Sequence, residues 1–309
     1  MRCLRMRSAA VTAAVVLVVV LAACGSSSRS TGRSASAGGK IRVVTAENSW
    51  GSIATQLGGD HVEVTSIVTS PGTDPHDYEP TPQDGRAIAS AQYVIFNGVG
   101  YDVWAARAVD ANPASNRTML EVGKLLNLTD GDNPHRWYFP DDVEKVVNQI
   151  TADYEKIDPA DAAYFEQQNQ AFETTGLKQY RDLLAQIKHK YSGTPVGASE
   201  SIFVGIAQWT GLDLATPSAF LTAISEGTDP TAQDKATVDQ QIKDKQIKAF
   251  VYNSQNSTPD VAALVGEAKA AGLPIASITE TPPEGTSFPD WQARQLQQLA
   301  DALAQGTGK

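Results

Sequence analysis

The stretch IRVVTAENSWGSIATQLGGDHVEVTSIV, residues 41–68, contains the first complete unit of the fold. Residues 41–46 form an apolar run of the length of a buried strand, and residues 61–68 resemble a second strand. Residues 50–57, between them, have the apolar spacing of a helix. A helical crossover is the connection that parallel strands require, so this stretch predicts a parallel α/β sheet.

The same alternation continues along the chain and begins again at Thr194. In the first half we predict a helix over 82–91, a strand over 93–99, and helices over 103–111 and 143–157. In the second half we predict strands over 195–199, 248–252 and 274–279, and helices over 201–210, 231–246, 259–271 and 291–304. Two such series predict an α/β fold with two lobes and mostly parallel sheets, which we place at residues 41–158 and 191–309.

The segment between the lobes, residues 159–190, has helical spacing of its apolar side chains. Asp158-Pro159 is a favourable helix start, and no other proline follows within the segment. A single helix of this length would extend about 45 Å and would join the lobes as a rigid rod. The spacing is interrupted near Gly176, so a helical hairpin broken at that glycine is the alternative.

The chain begins with a signal-like segment. Three arginines in residues 1–7 precede an apolar run that ends at Ala23, which is short for a membrane span of about 20 residues. Leu21-Ala22-Ala23-Cys24-Gly25 resembles the lipobox of bacterial lipoproteins, in which the cysteine is acylated. We therefore expect a lipoprotein signal peptide over 1–23, a lipid-anchored Cys24, and a disordered Ser/Gly-rich tether over 24–40. The alternative is a signal anchor.

Charge and cysteine content limit the function. Removing residues 1–23 takes away three arginines and no acidic residue, which leaves 22 basic and 35 acidic side chains and a formal charge of −13. An acidic surface disfavours nucleic acid and suits cations. Cys24 is the one cysteine after residue 23, so we expect no intramolecular disulfide and no thiolate ligand. Any metal site must use nitrogen and oxygen.

Four residues at predicted loop and strand ends are candidate metal ligands. Of the four histidines, His76 and His135 each follow a proline in an aromatic-flanked loop, which we expect to be stiff and separate from the core packing. Glu200 and Glu280 each directly follow a predicted strand of the second lobe. Ligands of open α/β sheets bind at the carboxyl ends of the strands, so these residues predict one site in the interdomain cleft. Imidazole and carboxylate ligands suit a divalent transition metal.

Each candidate also has an ordinary structural explanation. A histidine in a loop is usually a solvated polar residue. Glu200 could be a carboxylate at a helix N-terminus, and Glu280 could be a turn residue before two prolines. Their joint placement at one sheet edge favours the metal site.

Two histidine motifs carry a family resemblance. Asp74-Pro75-His76-x-Tyr78-Glu79-Pro80-Thr81-Pro82-x-Asp84 and Asn133-Pro134-His135-x-Trp137 resemble the first two ligand motifs of the zinc/manganese solute-binding lipoproteins of bacterial ABC transporters. Residues 46–51 and 98–104 are similar to further motifs of that family, and the likeness covers about residues 41–305. It implies two α/β lobes with four-stranded sheets flanked by helices, one long backbone helix between them, and a metal in the cleft.

The resemblance also implies roles for individual residues. His76 and His135 match the first two ligands, and Glu200 matches the third because Gly211-Leu212 follows eleven residues later, as in the family. The fourth ligand is usually an aspartate after the last strand, where this chain has Glu280. Asp229, in Gly227-Thr228-Asp229-Pro230, is a weaker rival for that position. Glu47 and Tyr101 are expected to line the site.

The implied function is capture of Zn²⁺ or Mn²⁺ on the extracytoplasmic face of the cell membrane. Its partners would be an ABC permease and its ATPase, with the protein acting as a lipid-anchored monomer and not as an enzyme. Residues 123–132 contain no histidine, so the His-rich loop of many zinc-specific relatives is missing, but Zn²⁺, Mn²⁺ and Fe²⁺ all stay open. A zinc hydrolase and a surface adhesin or structural lipoprotein are the alternatives. The sequence has no H-E-x-x-H motif for the hydrolase, and an adhesin gives the two histidine loops no role.

Overall fold

Two four-stranded parallel sheets organise the protein, whose computed structural model describes residues 39–256 and 258–309. The first sheet has the strand order β2-β1-β3-β4, and all of its neighbouring strands are parallel. Its strands are β1 (Ile41–Glu47), β2 (Val62–Val68), β3 (Tyr93–Phe96) and β4 (Thr118–Glu121). The helices of this lobe are α1 (Asn48–Gly58), α2 (Pro82–Ser90), α3 (Val103–Ala111), α4 (Val122–Leu125) and α5 (Pro140–Ile157).

A long helical segment leads from the first lobe to the second. A 3₁₀ turn (Pro159–Asp161) opens into α6 (Ala162–Ala171), a π-turn (Phe172–Gly176) follows, and α7 (Lys178–Tyr191) completes the segment. The backbone N–H of Leu177 donates to the carbonyl of Phe172 at 2.8 Å, so hydrogen bonding passes through Gly176 without a break. Helix α6 packs on α1 and α5 of the first lobe. The single backbone helix is therefore confirmed and the hairpin alternative is wrong, while lobe boundaries at residues 158 and 191 stay a prediction.

The second sheet repeats the topology of the first. Its order is β6-β5-β7-β8, again with all neighbours parallel. The strands are β5 (Pro195–Ala198), β6 (Asp213–Leu214), β7 (Phe250–Asn253) and β8 (Ile275–Ile278). The helices are α8 (Val204–Thr210), α9 (Ser218–Ser225), α10 (Ala232–Lys243), α11 (Pro259–Ala270) and α12 (Phe288–Thr307), and α7 packs on α8 and α12. The predicted α/β fold with two parallel sheets is confirmed.

One hydrophobic core runs through both lobes and beneath the connecting helices. Alternate residues of a strand face opposite sides of the sheet. In β1, Ile41 and Val43 therefore enter this shared core, while Val44 and Ala46 enter a separate outer core against α2 and α3. The second sheet has its own outer core against α10 and α11. Both faces of each sheet are covered, which explains the nearly continuous apolar strands of the sequence.

Several elements differ from their predicted lengths. Strand β3 ends at Phe96 instead of Val99, because Gly98, Val99 and Gly100 have φ angles of 70°, 58° and 74°, which no strand accommodates. Strands β4 and β6 and helices α4 and α9 were not predicted, since segments this short show too little apolar periodicity. The predicted signal peptide and Cys24 lie outside the described residues. Within 39–256 and 258–309, no helix combines the length and the apolar character that a membrane crossing requires.

Candidate metal centre

His76, His135 and Glu280 come together from three separate segments. His76 lies in the loop between β2 and α2, His135 immediately precedes a 3₁₀ turn that leads into α5, and Glu280 follows β8. One possible ligand atom from each lies within 4.8 Å of the others. Among the residues the structure describes, no other set of three His, Cys, Asp or Glu side chains satisfies this condition. Three of the four predicted ligands thus lie at one point, contributed by both lobes.

The His135 ring is held by hydrogen bonds that leave one nitrogen available. Its Nδ1 lies 3.0 Å from Oδ1 of Asn133, so Nδ1 carries the proton and donates it to that amide oxygen. The other nitrogen, Nε2, faces Oε1 of Glu280 at 3.6 Å and is the nitrogen that a metal in the site would bind. Asn133 is itself fixed, because its Nδ2 donates to the Ser201 carbonyl of the second lobe at 2.7 Å. A partner that fixes the tautomer in this way is typical of metal-binding histidines.

The two histidines differ in exposure. His135 is 2% exposed and its ring packs edge-on against Trp137, so the expectation that both loops are separate from the core packing is wrong for His135. His76 is exposed, and its loop is anchored from behind, since Trp104 donates its Nε1 hydrogen to the carbonyl of Pro75 at 3.0 Å. The exposed candidate His76 therefore follows a residue whose backbone is held in place.

Glu280 is surrounded by hydrogen-bond donors. The Tyr101 hydroxyl donates to Oε1 at 2.7 Å, and the Asn253 amide donates to Oε2 at 3.4 Å. Burial by itself raises the pKa of Glu280, but the hydrogen bond and charge of His135 and the hydrogen bond of Tyr101 outweigh burial and bring the pKa below its ordinary value. Glu280 is consequently a carboxylate at neutral pH, as a metal ligand must be. Tyr101 also packs edge-on against His76, with ring centroids 4.7 Å apart, which agrees with its predicted place beside the site.

Glu200 borders the same cavity but is not part of the group of three. A cavity of about 390 Å³ is lined by His76, Glu200 and Glu280 together with residues 71–75. Glu200 is 3% exposed, its Oε2 accepts a hydrogen bond from Asn256 at 3.1 Å, and its Oε1 has no partner among the described residues. Burial, and then the negative charge of Glu280, raise the pKa of Glu200 to about 7. A buried oxygen without a partner is unfavourable unless a further group binds it.

Glu47 forms a buried pair with Asp102 behind the site. Glu47 is 1% exposed, and neither of its carboxylate oxygens has a hydrogen-bond donor among the described residues. Burial, followed by the charge of Asp102, raises the pKa of Glu47 well above its ordinary value. Asp102 accepts hydrogen bonds from the backbone N–H groups of Asn97 and Gly98 at 2.6 and 2.7 Å, so it is the better anion of the two. Glu47 is therefore the weaker acid of the pair.

The rival ligand Asp229 lies elsewhere. It is exposed in the loop after α9, and its charge acts on Lys235. It is not part of the group formed by His76, His135 and Glu280. The geometry favours Glu280 over Asp229 as the fourth candidate.

Sequence reasoning missed the amide side chains that hold the carboxylates. Asn253 and Asn256 donate to Glu280 and Glu200, and Gln255 accepts the backbone N–H of Glu280 at 2.8 Å. All three lie at or just after the carboxyl end of β7. The end of β7 could have indicated these residues. We placed candidate ligands after two other strands of the second lobe but assigned no polar residue to the end of this one.

Comparison with known proteins is consistent with this geometry. A manganese ABC transporter substrate-binding lipoprotein, PsaA of Streptococcus mitis, is 24% identical over 88% of this chain and 92% of its own length. The high-affinity zinc uptake system protein ZnuA of Bacillus subtilis is 25% identical over 91% of this chain and 92% of its own length. The structure of a Mn-bound periplasmic metal binding protein from Candidatus Liberibacter asiaticus shares the fold, with a TM-score of 0.71, 19% identity, and coverage of 84% of this chain and 98% of that one.

Family membership follows from a match that spans both lobes. The family model described as zinc-uptake complex component A periplasmic (ZnuA) matches residues 43–302, which include both sheets, the connecting helices and every candidate ligand. The chain belongs to the ZnuA family of zinc-uptake complex components.

Proposed function

We propose that this protein captures Zn²⁺ or Mn²⁺ outside the cytoplasmic membrane and delivers it to an ABC-type metal importer. The observation that carries the proposal is the meeting of His76, His135 and Glu280, whose ligand atoms lie within 4.8 Å of one another. Two imidazole nitrogens and a carboxylate are a suitable donor set for a divalent transition metal. The metal is the cargo, and it would connect the two lobes.

Glu200 is the proposed ligand that completes the set with His76, His135 and Glu280. Glu200 lines the cavity together with His76 and Glu280, and its Oε1 has no hydrogen-bond partner in the part of the chain that the structure describes. Binding to a metal would satisfy that oxygen and would favour the ionised carboxylate. With Glu280, it would supply the two negative charges that neutralise a divalent cation.

A closed set of four ligands favours binding over catalysis. Catalytic zinc sites typically have three protein ligands and keep one position for water. Four protein ligands fill a tetrahedral sphere, so the zinc hydrolase alternative has no place for its nucleophile. An adhesin or structural lipoprotein gives no reason for imidazoles and carboxylates of both lobes to converge.

The general order of metal affinities bears on the choice between Zn²⁺ and Mn²⁺. Zn²⁺ binds more tightly than Mn²⁺ at most nitrogen and oxygen sites. The relatives include one named for manganese and one named for zinc. We therefore propose Zn²⁺ or Mn²⁺ as cargo, with the metal supply outside the cell deciding between them.

The proposed partners are a permease and its ATPase, and the proposed location is the outer face of the cell membrane. The relative from Streptococcus mitis is named a substrate-binding lipoprotein of an ABC transporter. Acylation of Cys24 and a tether over 24–40 would keep the protein next to the permease. Because both lobes of one chain supply the ligands, we propose that it works as a monomer.

The decisive test is metal stoichiometry. Metal-free protein titrated with Zn²⁺ or Mn²⁺ in a calorimeter should bind one ion per chain and should turn over no substrate. A variant with His76→Ala and His135→Ala should bind none. The matched control is His189→Ala, which removes an exposed histidine from α7 and should leave stoichiometry and affinity unchanged. Full binding by the double variant would reject the site.

A further inference from the structure

Tyr138 connects the His135 turn of the first lobe to the Glu280 loop of the second. It is the last residue of the 3₁₀ turn Arg136–Tyr138, which begins directly after His135. Its hydroxyl lies 2.7 Å from the carbonyl oxygen of Thr279, the residue before Glu280. The same hydroxyl lies 3.0 Å from Oε1 of Gln295 in α12. One phenolic proton is thus shared between two acceptors of the other lobe.

We infer that Tyr138 is a positioning residue that sets the distance between His135 and Glu280 across the lobes. This inference rests on the proposed function. His135 is three residues before Tyr138, and Glu280 is one residue after Thr279, so a single hydrogen bond ties two ligands that are 145 positions apart in sequence.

The receiving side of this contact is rigid. Thr279 donates its backbone N–H to Oε1 of Gln295 at 2.6 Å, and its Oγ1 accepts a hydrogen bond from Nε1 of Trp291 at 2.7 Å. Both partners belong to α12. The Tyr138 ring packs edge-on against Trp291, with centroids 5.8 Å apart. The acceptor that Tyr138 meets is therefore already fixed by the last helix.

The main chain of Tyr138 also packs closely against the second lobe. Helix α8 of the second lobe passes so close that a Cβ on Gly205 would lie 2.4 Å from the carbonyl oxygen of Tyr138. Only glycine permits this approach. The turn after His135 is consequently packed against α8 through its backbone and bonded to the Glu280 loop through its side chain.

The hydroxyl can act only as a neutral donor. Tyr138 is 1% exposed, and burial raises its pKa well above its ordinary value. A metal between Nε2 of His135 and Oε1 of Glu280 needs both atoms about 2 Å from the ion. Binding sites lose affinity when ligands are held loosely, so a contact that fixes this distance before the metal arrives improves affinity.

The test is Tyr138→Phe, which removes the hydroxyl and keeps the ring. We expect metal affinity to fall about three- to tenfold, the effect of one net hydrogen bond, mainly through faster dissociation. Gln295→Leu removes an acceptor from the other side and should act in the same direction. The matched control is Tyr154→Phe, which deletes a buried hydroxyl bonded to the Ala54 carbonyl at 3.0 Å within the first lobe. It should destabilise the metal-free protein while leaving affinity unchanged.

A double-mutant cycle separates positioning from general packing. In a Glu280→Gln background, Tyr138→Phe should have no further effect on residual affinity, because the ligand that it positions is gone. An equal loss of affinity in both backgrounds, or no loss in either, would overturn the inference. Absence of metal binding by the unmodified protein would instead reject the proposed function, so the two failures are distinguishable.

Discussion

Nε2 of His135 lies 3.6 Å from Oε1 of Glu280, although the two residues belong to different lobes. Both atoms are oriented by other groups: Asn133 binds the opposite nitrogen of His135, and Tyr101 donates to the same oxygen of Glu280. The two donors therefore face each other with little freedom to turn away. We therefore expect metal affinity to change when a single atom of either side chain is replaced.

Replacing Glu280 by Gln should lower metal affinity by more than about a hundredfold. Even a partner that only orients a ligand accounts for about 10- to 100-fold in affinity, and Glu280 is proposed to bind directly. Asp229→Asn removes one carboxylate charge from an exposed loop and should leave affinity unchanged. Competition titration of both variants against a chelator measures the difference. The reverse result would identify Asp229 as the ligand and reject Glu280.

Metal should stabilise the whole chain against unfolding. A metal at 1,000 times its Kd adds about 4 kcal/mol when it binds only the folded state. Since the ligands come from both lobes, one cooperative transition should shift to higher temperature, and a chelator should reverse the shift. Calorimetric scans with and without metal test this, with Glu280→Gln as the variant that should lose the shift. Stabilisation of only one of two transitions would contradict a bridging metal.

Metal affinity should fall as the pH falls below about 7. Burial and the charge of Glu280 raise the pKa of Glu200 from 4.5 to about 7, so the metal-free protein holds a proton that the metal must displace. The stability of the metal-free protein should depend on pH in the opposite direction to metal affinity. The raised pKa stabilises the folded state at low pH, and this contribution is lost as the pH rises through about 7.

Titrations between about pH 4.5 and 8 check both trends, since 4.5 and about 7 are the ordinary and the raised pKa of Glu200, and Glu200→Gln should weaken each trend. A variant whose affinity and metal-free stability depend on pH as strongly as those of the unmodified protein would show that Glu200 does not carry the proton.

Changing Cys24 to Ser should release the protein from the membrane. We expect the lipid on that sulfur, and Cys24 is the one cysteine after the predicted signal peptide, so no second thiol could carry it. Fractionation of cells that produce the variant, followed by mass measurement of the mature N-terminus, tests this. Retention of the variant in the membrane fraction would favour a signal anchor.

Most of the fold could be predicted from the apolar strands of the sequence, and most of the candidate site from the strand ends and the two histidine motifs. The strands β1, β2, β5, β7 and β8 are apolar runs long enough to be recognised, and Glu200 and Glu280 stand where two of them end. The sequence predicted one backbone helix but left a hairpin at Gly176 open, because the π-turn over Phe172–Gly176 inserts an extra residue. That insertion shifts the apolar register in the same way as a true break.

The amide side chains that hold the candidate carboxylates could not be predicted from the sequence for a different reason. Asn253, Gln255 and Asn256 act through hydrogen bonds to Glu280 and Glu200, which are 25 to 56 residues away, and such pairs leave no periodic pattern. The burial of His135 depends likewise on Trp137 and on the second lobe, neither of which a local pattern reveals.

The uninterrupted core beneath both sheets has a consequence for the rate of metal release. Swinging the lobes apart would expose apolar surface that runs from Ile41 in the first sheet to Ile278 in the second. A large hinge motion would therefore be slow. His76 is the one exposed member of the candidate ligand group, so the ion can be released past its side chain even though Trp104 fixes the neighbouring Pro75. We therefore expect the exchange rate of the ion to be set at His76, and residues 71–76 to form the surface that the permease of the proposed importer would contact.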